Sequence, residues 1–206
     1  MPKVLVGVPS MDTVVLPFHN SFNNALKCDA EIGIQRVIGM NVVSARNKIV
    51  SKGLEGYDYI FFMDSDMAFP PETLGNLLYH DVDIVGGFYR RKKGGYLPNA
   101  FKLGFYEDGQ LMTEVVTDFK EVEAIGTGCL LVKTDVFRSM DSPWFEYTCS
   151  DDKGHMHTED IVFCRKAKEK GYKIYCDGNI NCGHVGMFIV WPVITDGKPN
   201  VLIDPV

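Results

Sequence analysis

From Tyr57 to Met63 the chain reads YDYIFFM, a nearly continuous apolar run of β-favouring residues that stops at Asp64-Ser65-Asp66. A strand that is apolar on successive residues must be covered on both faces, which favours a parallel sheet with helices above and below it. The neighbouring segments agree. Val4 to Val8 (VLVGV) reads as a first strand, Ser21 to Cys28 as a helix and Glu31 to Ile38 as a second strand. Val42 to Lys52 carries apolar residues near helical spacing and stops at Gly53; Pro71 to His80 reads as a further helix and Asp83 to Gly87 as a fourth strand. Strand and helix alternate, as in α/β proteins.

The second half has another texture. Gly94 to Ile125 falls into glycine-punctuated extended pieces that read as antiparallel strands. Cys129 to Val132 is then a strand, Thr134 to Met140 a short helix and Thr158 to Lys170 a longer one, before the strand-like YKIYC and a turn at Asp177-Gly178. No repeat, low-complexity segment or linker divides the chain, so residues 1–206 are expected to form one domain whose halves, 1–87 and 88–206, differ in character.

Two carboxylates where an apolar strand ends call for an explanation. Side chains alternate along an extended chain, so Asp64 and Asp66 would share a face if strand geometry persisted. Bare carboxylates about 4 Å apart repel by roughly 4 kcal/mol at an effective dielectric of about 20, so a positive group is expected between them. The competing account is turn chemistry ahead of the helix announced by Pro70, Pro71 and Glu72. A parallel sheet places ligands beyond the carboxyl ends of its strands, and that favours a site.

Three other features bear on chemistry. In HTEDIVFCRKAKEKG, Thr158 is placed to cap a helix whose first turn holds Glu159 and Asp160. Acids there stabilise the helix dipole without any catalysis, yet a carboxylate at a helix mouth can also take a proton from a hydroxyl. His184 lies between Gly183 and Gly186, where the backbone can pass close to a ligand; imidazole with carboxylate suits Mn²⁺ better than Ca²⁺. Arg46 and Lys48, on the helix before the Asp-Ser-Asp strand, are cations that could neutralise a diphosphate, although exposed helix cations are commoner.

Composition narrows the partners. A net charge of −6 argues against broad nucleic-acid binding, although Arg90, Arg91, Lys92 and Lys93 form a local basic run able to face phosphates or to be simply solvated. The apolar stretch in MPKVLVGVPS is too short for a signal-peptide core and no apolar segment is long enough to span a membrane, so a cytoplasmic protein is expected. Six cysteines without CxxC spacing suit reduced core thiols. A zinc cluster drawn from Cys149, His155, His157, Cys164, Cys182 and His184 has no recognised spacing.

Taken in order, VGVPS, SARNKIVSKGLEGYDYIFFMDSDM, VGGFYRRK, IGTGCLLVKTDVF, TEDIVFCRKAKEKGYKIYCD and CGHVG resemble the GT-A-fold glycosyltransferases, particularly small family-2-like members, over most of Val4 to Gly186. The resemblance implies a mostly parallel central sheet flanked by helices with a smaller antiparallel part. It implies a nucleotide-sugar-binding half at 1–87, and an acceptor-binding and catalytic half at 88–206. Pro9 and Ser10 would border the nucleoside pocket, Arg46 would lie near the nucleotide, and Gly87, Arg91 and Gly128 would contact substrate. Asp64-Ser65-Asp66 would be the DxD motif, holding Mn²⁺ or Mg²⁺ with His184 against the diphosphate of a donor expected to be a UDP-sugar. Asp160, with Glu159 beside it, would be the catalytic base of an inverting transfer. A saccharide, lipid carrier, protein or modified nucleic-acid base could be the acceptor, and the tail MFIVWPVITDGKPNVLIDPV matches no motif of the family. A haloacid-dehalogenase-like phosphatase fits less well, since its motif follows the first strand. A nucleotidyltransferase, or a protein that binds a nucleotide sugar without turning it over, remains an alternative.

Overall fold

The computed structural model describes residues 1–92, 95–107, 110–149, 156–186 and 188–205. The first half runs β1 (Lys3–Ser10), α1 (Leu16–Ala25), β2 (Glu31–Ile38), α2 (Val42–Gly53), β3 (Tyr59–Met63), β4 (Met67–Ala68), α3 (Thr73–Tyr79) and β5 (Ile84–Tyr89). The antiparallel region follows as β6 (Ala100–Glu107), β7 (Gln110–Glu114), β8 (Phe119–Val122) and β9 (Ala124–Ile125). After it come β10 (Cys129–Lys133), α4 (Thr134–Arg138), β11 (Thr148–Cys149), β12 (Met156–His157), α5 (Glu159–Glu169), β13 (Ile174–Val185), β14 (Phe188–Thr195) and β15 (Lys198–Pro205).

Among the described residues the main sheet has the order β15-β14-β13-β5-β10-β3-β1-β2, with β4 and β8 also paired to β13. β2, β1 and β3 are mutually parallel, as are β5 and β13, while β10 runs antiparallel between β3 and β5. Strands from both halves therefore share one sheet, and the division expected at residue 87 falls inside β5. A second sheet, β7-β6-β9, is antiparallel.

Alternation along the central strands sorts their side chains into two cores. Leu5, Ile60, Phe62, Ile84 and Leu130 meet α2, α4 and α5 on one face; Val4, Val6, Phe61, Met63, Val85 and Leu131 meet α1 and α3 on the other. That double coverage is why β3 is apolar at every buried position. Asn41 begins α2 by accepting the Ser44 amide at 2.9 Å. Pro17, near the N-terminus of α1, sets its start earlier than the Ser21 expected from periodicity.

Two local expectations are corrected, and the tail finds its place. Strand geometry does not persist through Asp64-Ser65-Asp66: the Met67 amide donates to the Asp64 carbonyl at 3.2 Å, closing a turn. Asp177-Gly178 does not end its strand, because β13 runs on to Val185 with a register shift between Asp177 and Asn181. A Cβ on Gly178 would stand 2.4 Å from the Val116 carbonyl, so only glycine fits where the strand is offset. The unplaced tail forms the hairpin β14–β15, turning at Asp196 and Gly197 with φ of 53° and 71°, the left-handed pair that a two-residue turn of this kind demands. No helix among the described residues is long and apolar enough to cross a membrane.

Candidate functional site

β1 and β3 end side by side, and their carboxyl ends open onto a cleft lined by Pro9, Ser10, Met11, Met40, Val42, Asp64, Ser65 and Asp66. Beyond Ser10 a second hollow reaches Phe18, Phe22 and Arg36, whose guanidinium carbon sits 5.7 Å from the Phe22 ring centre. The turn after β3 thus delivers both aspartates to the place where parallel sheets receive ligands.

The two carboxylates go to different cations. Arg46, on α2 and only 3% exposed, donates through Nη2 to both oxygens of Asp64 at 3.0 and 3.1 Å, and through Nη1 to Glu159. Burial opposes the guanidinium charge, but Asp64, Glu159 and Asp160 outweigh it and raise the Arg46 pKa. Glu159, expected beside Asp160 as a catalytic acid, is instead buried against Arg46; burial raises its pKa and Arg46 pulls the other way. Of the two cations able to neutralise a diphosphate, Arg46 is enclosed by protein carboxylates and Lys48 is exposed.

Asp66 accepts from the Lys92 ammonium, which also reaches the Val185 carbonyl at 3.2 Å. Burial raises the Asp66 pKa, yet hydrogen bonds from His184 and Lys92 win and hold it down to about 2. His184 Nδ1 lies 3.1 Å from the Arg90 carbonyl. A carbonyl only accepts, so Nδ1 carries a proton and Nε2 faces Asp66 Oδ2 at 3.7 Å. Nε2 is thereby left for the Asp66 side, where it donates to the carboxylate when it carries a proton and offers a lone pair to a cation held between the two when it does not. The donor set fits a divalent ion in this sense: one carboxylate and one oriented imidazole, with diphosphate and water oxygens to complete the shell. Asp64 does not join them, and no group of three His, Cys, Asp or Glu is assembled for a metal among the described residues.

Gly128 and Tyr89 knit the floor of this region. The Gly128 amide donates to the Tyr89 hydroxyl at 3.1 Å and its carbonyl accepts the Asp64 amide at 3.0 Å. A Cβ at Gly128 would lie 3.3 Å from Asp64 Oδ2, and one at Gly126 only 2.4 Å from the Tyr89 hydroxyl. Burial first, then the charges of Asp64 and Asp160, push the Tyr89 pKa well above its ordinary value, so the phenol stays neutral. Nothing in its sequence context singled out Tyr89. Gly87, by contrast, is enclosed in the sheet between Cys129 and Ile180, with its carbonyl bonded to Asn99 Nδ2 at 3.1 Å, and does not line the cleft.

Asp160 is half-buried at the start of α5, where Oδ1 accepts from the Thr158 hydroxyl and from the Ile161 amide at 2.9 Å. Thr158 therefore spends its hydroxyl on Asp160 and makes no side-chain cap bond. Arg91 is exposed, and Lys93 lies outside the described residues. The zinc alternative does not assemble: the Cys164 thiol donates to the Ile125 carbonyl in one core, Cys182 belongs to the other, and His155 lies outside the described residues. Cys28, Cys129, Cys164, Cys176 and Cys182 are free thiols.

No protein-family profile matches the chain. No curated protein matches it in sequence. Solved structures do resemble it. A197 from STIV superposes with a TM-score of 0.65 at 18% identity, covering 100% of this chain and 95% of that one. GalNAc-T7 gives 0.59 at 10% identity over 90% of this chain, which spans 44% of the GalNAc-T7 chain. The catalytic domain of Drosophila β1,4-galactosyltransferase 7 gives 0.55 at 15% identity, covering 99% and 93% of the two chains. The mixed sheet, its two helical layers and these likenesses together identify the architecture as the GT-A fold of glycosyltransferases.

Proposed function

We propose that the chain transfers a sugar from a nucleotide-sugar donor, a UDP-sugar, to an acceptor hydroxyl with inversion, using Mn²⁺ or Mg²⁺. The observation that carries this reading is the meeting of Asp66 and His184 beside a cleft bounded by Pro9, Ser10 and Ser65, at the carboxyl ends of β1 and β3. The solved structures of GalNAc-T7 with UDP, GalNAc and Mn²⁺, and of the Drosophila enzyme with manganese, UDP-Gal and xylobiose, support the choice of donor and ion.

In this reading Pro9 and Ser10 border the nucleoside, and Asp66 with His184 Nε2 would hold the ion, which would supply neutralising charge to a departing diphosphate. Lys92, released from Asp66, turns its ammonium to the phosphates. Asp64 stays on Arg46 and contacts the donor from there. Asp160 accepts the proton of the acceptor hydroxyl as that oxygen attacks the anomeric carbon, while Glu159 positions Arg46 and takes no proton from substrate. Arg91, exposed two residues after β5, takes the role of a phosphate-facing cation in this reading.

A screen of nucleotide sugars with Mn²⁺ tests the proposal. Release of free nucleoside diphosphate, slow without acceptor, is the expected result; release of pyrophosphate would make the chain a nucleotidyltransferase, and binding without any release would make it a binding protein.

A further inference from the structure

Behind the candidate site, where the offset in β13 meets the C-terminal hairpin, lies a cavity of about 200 Å³. Its polar lining consists of Arg90, Thr117, Asn179, Asn181 and Asn200, and its apolar wall comes from β14 and the end of β5. Arg90 brings the cavity's positive charge, and no carboxylate lines it among the described residues. The guanidinium is poorly satisfied: Nη1 donates to the Tyr96 carbonyl at 3.1 Å, buried Nε has no partner, and Arg90 makes no salt bridge among the described residues. Asp177, on the same offset, is already taken up by His80 Nε2 at 2.8 Å and by both nitrogens of Asn179. Among the described residues no hydrogen bond reaches the Asn179 amide oxygen, which leaves it able to accept from a ligand hydroxyl.

We propose that this cavity binds an anionic saccharide unit of the acceptor, a sugar carrying a carboxylate or a phosphate; the assignment to an acceptor rests on the glycosyl-transfer reading above. A guanidinium with unmade donors matches the paired oxygens of either group, and three amides with a threonine hydroxyl match sugar hydroxyls. The cavity suits one sugar ring better than an extended ligand. Pro192 and Ile194 give the ring an apolar wall to lie against. Arg90 also connects the cavity to the donor side, because its carbonyl is the group that orients His184.

Calorimetry on the full chain, without donor or metal, would compare glucuronate, glucose 6-phosphate and glucose. The expected result is binding of at least one anionic sugar ten or more times tighter than glucose, with the preferred one naming the carboxylate or phosphate source. Arg90→Met should abolish that preference. Asn181→Ala, at an exposed position, should weaken binding severalfold even if the arginine variant folds poorly. Equal binding of all three sugars, no binding, or a preference that survives Arg90→Met would overturn the proposal. A parallel titration of the parent with UDP and Mn²⁺ separates the two readings: UDP binding without anionic-sugar preference removes the cavity assignment alone, whereas anionic-sugar binding without UDP binding leaves the cavity and removes the transferase reading.

Discussion

Arg46, on α2 and 18 residues before Asp64 in the chain, grips both oxygens of that carboxylate through Nη2 at 3.0 and 3.1 Å. The same guanidinium holds Glu159 at the start of α5, so one buried cation links the turn after β3 to the helix bearing Asp160. Such a bridge orients both motifs before any ligand arrives, and each of its charges depends on the other two.

Arg46→Met should therefore be costly. It would leave the Asp64 and Glu159 carboxylates facing each other without a cation, and losing one partner of a buried pair typically costs about 3–5 kcal/mol. Urea denaturation measures this directly; a loss below about 1 kcal/mol would mean that the bridge is a spectator. Arg46→Lys should recover little, because an ammonium cannot present a planar fork to two carboxylates.

Lys92→Met probes the ion site from the other side. Lys92 competes with any cation for Asp66. Its removal should tighten Mn²⁺ binding about tenfold while weakening UDP binding in the presence of Mn²⁺, since the proposed phosphate contact goes with it. Asp66→Ala should abolish the Mn²⁺ response. Calorimetry that finds UDP affinity indifferent to metal, chelator and both substitutions would remove the ion from the account.

Asp160→Asn separates base from scaffold. Asparagine keeps the size and can still accept from the Ile161 amide, but it lacks the basicity to take a proton. Loss of a general base typically costs 10²- to 10⁴-fold in rate, whereas one helix-dipole interaction is worth about 0.3–1 kcal/mol. The variant should fold, melt within a few degrees of the parent and bind UDP with Mn²⁺, yet transfer sugar at least a hundredfold more slowly. Transfer near the parent rate would reduce Asp160 to a helix-terminal charge.

Gly126 offers a geometric test of the floor. A methyl there would collide with the Tyr89 hydroxyl, so Gly126→Ala should destabilise by roughly 1–3 kcal/mol as an overpacked site. Tyr89→Phe removes the colliding oxygen, and the double variant should regain part of that loss in thermal melts. Strict additivity of the two changes would place the strain elsewhere.

Much of this architecture is legible in the chain, for reasons that differ by element. β3 announces itself because burial on both faces leaves no polar position between Ile60 and Met63, and α2 because its apolar residues recur near helical spacing up to Gly53; its Asn41 cap was not read. The Asp-Ser-Asp carboxylates stand out by interrupting that apolar run, but which cation each would find was not, because Arg46 and Lys92 come from separate elements that only tertiary packing brings near. Glu159 and Asp160 look equivalent as neighbours in sequence; one helical step turns the first inward to Arg46 and leaves the second half-buried. The Asp177-Gly178 pair carries the composition of a turn and is used as a strand offset, since the Val116 carbonyl crowds it from an adjoining segment. The hairpin could have been found: Asp196-Gly197 between two β-rich runs is a strong local turn signal.

The C-terminal hairpin joins the main sheet through two residue pairs, His184 with Val190 and Val185 with Ile189. From Val190 to the turn at Asp196 the strand runs on for about 20 Å at its usual rise per residue, and Pro192, Val193 and Ile194 along it wall the cavity that holds Arg90. The hairpin is thus an antenna whose root is the very histidine proposed to meet the ion. A fluorophore carried near Gly197, at the exposed tip next to the cavity lined by Ile194 and Asn200, would report on the filling of that cavity through a ladder of hydrogen bonds rooted at His184.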